Sequence, residues 1–130
     1  MKITRKTQYG LRALLCLGQS KKDFLSLREI AEREGISFDY LEKIFSKLEK
    51  AGLVKSKRGI HGGYSLAHSP KKIRVGEIMR TLEGKLLLVE CLEKGKICSR
   101  KNSCQSVKAW TKIQDLLEEA INSITLNNLQ

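Results

Sequence analysis

Between residues 38 and 48, apolar side chains fall at steps of three and four: Phe38, Leu41, Ile44, Phe45 and Leu48. That spacing predicts a helix with one buried stripe. Ser37 stands where a side-chain N-cap belongs, and Gly52 ends the run. Upstream, Ser26-Leu27-Arg28-Glu29 has the form of a capping box and opens a short helix that turns Leu27, Ile30 and Ala31 inward. Gly35 closes that helix by accepting a left-handed backbone. A first helix is expected from Thr7 to Gly18, apolar over most of its surface and therefore central. Cys16 in this run reads as a small buried hydrophobe. Three helices, with a glycine-bearing turn between the second and third, make a helix-turn-helix pattern.

After Gly52 the pattern changes. Leu53-Val54-Lys55-Ser56 and Tyr64-Ser65-Leu66-Ala67 read as two strands, and the basic, glycine-rich stretch 57–63 joins them. This is a β-hairpin wing. Ser69-Pro70 turns the chain, a short helix follows from Val75 to Leu82, and Gly84 ends it. A polar, aperiodic loop then leads to a long helix, expected from about Ser103 to the region of Ile124. Val107, Trp110, Ile113, Leu117, Ala120 or Ile121, and Ile124 form its stripe. A stripe that long needs a partner surface, and a second copy of the same helix is the economical choice. Trp110, Ile113, Leu117, Ile121 and Ile124 are therefore the expected dimerisation residues. The fold class is mainly α with a small β-hairpin: a winged helix-turn-helix over residues 1–74, a short helix and cysteine loop over 75–104, and a dimerisation helix and tail over 105–130.

Charge sharpens this division. The chain has a formal net charge of +11, and residues 1–74 hold 17 Lys and Arg against 7 Asp and Glu, whereas residues 75–130 hold 8 against 7. The first part therefore faces a polyanion. Double-stranded DNA is the expected partner. No helix pairs a wholly basic face with an apolar one, which argues against a membrane surface. No segment has the length of a membrane span, and the apolar run after Lys6 is interrupted by Arg12 and has no cleavage site. The expected location is the cytoplasm. No nucleophile–base pair, phosphate loop or paired catalytic carboxylates occur, so an enzyme is not expected.

On a winged helix, the third helix enters the major groove by its first turns. The residues exposed there are Ser37, Asp39, Tyr40, Glu42 and Lys43. A carboxylate there can accept from cytosine, although Asp39 equally suits a helix N-terminus. Lys47, Lys50, Lys55 and Lys57 are expected to meet phosphates. Arg58 at the wing tip is long enough for a minor groove, and Gly59 and His61 flank the turn.

The candidate chemistry lies in the loop. Cys91, Cys98 and Cys104 are separated by six and five polar or glycine-containing residues. In a reducing compartment such clustering favours metal or redox chemistry over disulfides. Paired knuckles with four protein ligands, as zinc prefers, are absent from the sequence. A labile iron–sulfur cluster suits the set better, with a zinc or thiol redox sensor as the alternative.

Several stretches together resemble the Rrf-two family of bacterial winged-helix regulators, with its IscR, NsrR and CymR types. They are Met1-Lys2-Ile3-Thr4 with Tyr9-Gly10-Leu11-Arg12-Ala13, then Ile36-Ser37-Phe38-Asp39-Tyr40-Leu41-Glu42, Arg58-Gly59-Ile60-His61-Gly62-Gly63-Tyr64, Val75-Gly76-Glu77-Ile78, and the three-cysteine loop. The resemblance implies a homodimeric regulator, here expected to be a repressor, bound to palindromic operators. It places base reading at Ser37, Asp39 and Glu42, with Arg58 in the minor groove. It also implies an iron–sulfur cluster, 2Fe-2S or 4Fe-4S, on Cys91, Cys98 and Cys104. Where the IscR type has a fourth-ligand histidine this chain has Val107, and where the NsrR type has a partner-subunit aspartate it has Gln8. Gln8 and Glu90 are the remaining candidates for a fourth ligand. The CymR type implies an alternative, a cofactor-free regulator switched by a partner protein.

Overall fold

A computed structural model describes residues 2–96, 98–100 and 102–130; Met1, which opens the first resembling stretch, lies outside them, as do Ile97 and Lys101 in the cysteine loop. Five α-helices, among the described residues, surround one core: α1 (Arg5–Gln19), α2 (Leu27–Glu34), α3 (Phe38–Lys50), α4 (Val75–Glu83) and α5 (Ser106–Ser123). Two strands, β1 (Val54–Lys57) and β2 (Gly63–Leu66), pair antiparallel with Val54 opposite Leu66 and Lys57 opposite Gly63.

Local chemistry sets the boundaries. The Ser26 hydroxyl accepts from the Glu29 N–H at 3.1 Å, and the Glu29 carboxylate takes the Ser26 hydroxyl at 3.3 Å. Gly35 ends α2 at φ 64°. Ser37 caps α3 by accepting from the Tyr40 N–H at 3.3 Å. Each such cap satisfies an N–H that the helix itself leaves without a partner.

The core is built around α1. Ala13 and Leu14 pack with Leu41, Ile44, Phe45 and Leu48 of α3, and all six are fully buried. Phe45 also meets the ring of Tyr64 on β2, with centroids 4.8 Å apart, so the hairpin is anchored to α3. Cys16 is buried as expected, and burial, ahead of the nearby Glu34 charge, pushes its thiol above the ordinary range.

Two features depart from the expected order. α5 begins at Ser106, three residues after Ser103, and Ile124 lies beyond its end in extended backbone. There the Ile124 carbonyl accepts from the Val75 N–H at 2.8 Å. The tail does not trail away. Leu126 donates its N–H to the Ile73 carbonyl at 3.0 Å, and its side chain is fully buried. A short 3₁₀ turn (Leu126–Leu129) thus returns the end of the chain to the winged-helix core.

Candidate nucleic-acid interface and thiol loop

Ser37, Asp39, Tyr40, Glu42, Lys43 and Lys47 all lie exposed on or beside α3, on the side away from its buried stripe. Tyr40 is held by an edge-to-face contact with Tyr9 at 5.6 Å, and Arg12 lies over the Tyr9 ring at 5.6 Å while it pairs with Glu34 at 3.2 Å. The first turn of α3 is therefore braced by α1. Lys6, at the start of α1, adds a cation that the periodicity did not single out. The neighbouring Lys6 ammonium holds Lys47 below the ordinary lysine range, because a second positive charge beside it disfavours the protonated form.

Arg58, Gly59 and His61 are exposed at the wing tip. Gly59 takes φ 112°, and its carbonyl accepts from the Gly62 N–H at 3.0 Å, which closes the turn in a conformation open to glycine. The Leu25 N–H donates to the Tyr64 carbonyl at 2.9 Å and the Tyr64 N–H to the Leu25 carbonyl at 2.7 Å, so the α1–α2 loop is pinned to β2.

The cysteine loop is organised differently. Cys91 and Cys98 line one open depression of about 410 Å³ together with Glu90, Lys96 and Ser99. Cys104 is not among its lining residues. Its sulfur lies 3.0 Å from the Ser106 hydroxyl at the start of α5. That hydroxyl, followed by the Val107 and Ser106 N–H groups, draws the thiol below its ordinary range against the opposing effect of burial. Gln8 is turned to its own helix start, where its amide donates to the Ile3 carbonyl at 2.9 Å. Glu90 is exposed beside Cys91. Among the described residues, no three His, Cys, Asp or Glu side chains are gathered closely enough to hold a metal ion. The thiols suit iron by their chemistry; their arrangement here does not enclose it.

One buried polar group ties this loop to α5. Gln114, 8 % exposed, donates its amide to the Leu86 carbonyl at 2.6 Å and accepts from the Leu88 N–H at 3.0 Å. The expected stripe on α5 divides around it. Ile121 turns inward, only 7 % exposed, because this end of α5 docks on α4; it is not on the outer face. Trp110 and Ile113 do face outward, at 39 % and 46 %, and Leu116 joins them at 57 %. Leu117 is half-buried, and Ile124 is 38 % exposed outside the helix.

The family model described as "Iron-dependent Transcriptional regulator", Rrf2, matches residues 3–130. Protein rrf2 of Nitratidesulfovibrio vulgaris is 38 % identical over 130 residues, covering 99 % of this chain and 87 % of that one. The transcriptional regulator CymR of Bacillus subtilis is 39 % identical over 130 residues (99 % and 89 % covered), and IscR of Vibrio campbellii is 36 % identical (99 % and 77 %). Among solved structures, a protein from Listeria innocua superposes with TM-score 0.83 at 40 % identity, covering 99 % of this chain and 85 % of that one. B. subtilis CymR, described as its global cysteine regulator, gives 0.80 at 38 % (99 % and 95 %). These relatives are regulators of transcription and not enzymes. Among the described residues no helix is long and apolar enough to cross a membrane. With its winged helix-turn-helix and a family match over nearly its whole length, the chain belongs to the Rrf2 family of transcriptional regulators.

Proposed function

We propose that this regulator represses transcription as a homodimer on palindromic operator DNA, and that the state of Cys91, Cys98 and Cys104 sets its grip. The observation that carries the DNA half is the capped α3, with its outward polar residues and adjoining basic wing, on the half of the chain that holds nearly all the excess positive charge. Ser37, Asp39 and Glu42 read base edges, Lys43 and Lys47 meet phosphates, and Arg58 enters the minor groove. The outward row of Trp110, Ile113 and Leu116 supports a partner helix from a second copy. In such a dimer the two reading heads are spaced by α5, and Gln114 joins α5 to the chain leading into Cys91.

An iron–sulfur cluster is the cofactor that three thiolates and the family's description favour. When bound, it would supply a redox-sensitive and nitric-oxide-sensitive centre held by Cys91, Cys98 and Cys104. The dispersal of these thiols and the likeness to CymR favour a second reading, a cofactor-free regulator switched through its thiols or by a protein partner. Anaerobic purification separates the two. A brown protein with thiolate-to-iron absorption, lost in Cys98→Ala, is expected. A colourless protein that takes up no iron on anaerobic reconstitution selects the second reading.

A further inference from the structure

A depression of about 480 Å³ opens between the α1–α2 loop, the first turn of α2 and the root of the wing. Lys21, Lys22, Lys57 and His61 line it, and Asp23 and Glu29 are the carboxylates that face the same space. Glu29 is already engaged, by Lys22 at 2.9 Å and by Arg33 at 4.0 Å. Among the described residues neither Lys21 nor Lys57 forms an ion pair. Lys57 is nevertheless positioned: its ammonium lies over the Phe24 ring, 5.6 Å from the centroid. A cation held in this way has less freedom to lose when it meets an anion. The loop that carries Lys21 is fixed to the wing by the paired Leu25–Tyr64 hydrogen bonds. Gly63, at φ 137°, permits that approach, since a Cβ there would run into the Leu25 carbonyl.

We propose that Lys21 and Lys57 form a clamp for a backbone phosphodiester of duplex DNA, beside the groove that Arg58 enters. The clamp rests on the reading of the wing as a DNA contact and adds phosphate positions to it. A minor groove is walled by two phosphate chains, so a wing whose tip enters it carries its root past one of them. Two unpaired ammonium groups on one rigid unit are complementary to that chain. The depression is open to solvent, and its lysines are exposed, which suits a passing polymer better than an enclosed small anion.

The test compares wild type with Lys21→Gln/Lys57→Gln on a duplex selected from a random pool by the wild-type protein, between about 50 and about 300 mM salt. The double variant should bind about tenfold more weakly at low salt, with the salt slope reduced by about two. Its preference for the selected duplex over a scrambled one should be unchanged, since phosphate contacts carry no sequence information. Lys21→Arg/Lys57→Arg should restore the slope, which separates lost charge from lost fold. An unchanged slope in the glutamine variant, with wild-type binding intact, overturns the clamp and leaves the wing reading standing. A wild-type protein with no salt-dependent duplex binding overturns both. If millimolar inorganic phosphate raises the melting temperature of wild type but not of the glutamine variant, while the two DNA slopes agree, the depression takes a free anion and the clamp is overturned.

Discussion

Leu41, Ile44, Phe45 and Leu48 on α3 are fully buried within one chain, while Trp110, Ile113 and Leu116, set at similar intervals on α5, stand in solvent. The two helices have the same kind of periodicity and opposite outcomes. α3 finds its cover in α1, α2, α4 and the wing, and the Ser37 side chain caps its start. α5 finds cover along one side, where Ile121 and the Arg80 bonds to Glu118 and Asn122 join it to α4 and where Gln114 meets the Leu86–Leu88 backbone. The reading head is complete in a single chain. The C-terminal part leaves its apolar row in solvent, and its Cys91, Cys98 and Cys104 thiols are at least partly open to it. That is a reasonable division for a regulator, since a signal acts most readily on the element that is least committed.

The contrast can be broken by exchanging insults between the two halves. The largest effect is expected from Ile113→Asp/Leu116→Asp. Each buried apolar side chain at such an interface contributes about 1.5–3 kcal/mol, so self-association should weaken on the order of a thousandfold or more while the fold survives. Sedimentation equilibrium and circular dichroism check both parts. Phe45→Ala should do the reverse, costing about 3–5 kcal/mol of folding stability in urea titrations, because its cavity lies between α1, α3 and Tyr64. Arg58→Ala should leave stability alone and weaken duplex binding about tenfold, as a minor-groove cation is removed from an exposed turn.

A smaller effect tests how the start of α1 is fastened. Glu83 accepts from the Thr4 N–H at 2.7 Å and from the Thr4 hydroxyl at 2.8 Å. Partial burial works to raise its carboxyl, but these bonds, with the nearby Lys6 charge, outweigh it and hold the group below the usual carboxylate range. A depressed carboxyl contributes stability that is present above its unfolded value, roughly pH 4.3, and is lost as pH falls through the folded value. Glu83→Gln should therefore lower the melting temperature modestly near pH 7, flatten the acid limb of the profile below about pH 5, and converge with wild type in acid.

Much of the reading head was legible because its signals are local. A serine before an apolar stripe and a glycine after it mark a helix whatever the rest of the chain does, and Ser26, Gly35 and Ser37 act as their residue types suggest. The outer face of α5 was less legible. Leu116 and Leu117 are neighbours, and periodicity alone does not say which faces outward; docking of Ile121 on α4 fixes the rotation and exposes Leu116. Gln114 and Leu126 are buried by partners distant in sequence, the backbone of residues 86–88 and of Ile73, and nothing near them announces it. The three cysteines were conspicuous as a set, yet their spacing does not fix whether they converge. Cys91 and Cys98 share a depression, while Cys104 belongs to the start of α5.

The most direct measurement is the affinity of the anaerobically reconstituted protein for its selected duplex, set against that of the metal-free protein and of Cys91→Ala/Cys98→Ala/Cys104→Ala. Wild type should change affinity by about tenfold or more between its two states, the scale of a typical coupling free energy. The triple variant should show one fixed affinity under both treatments. Equal affinities for the two wild-type states would contradict control through the thiol loop and leave a winged-helix regulator governed from elsewhere.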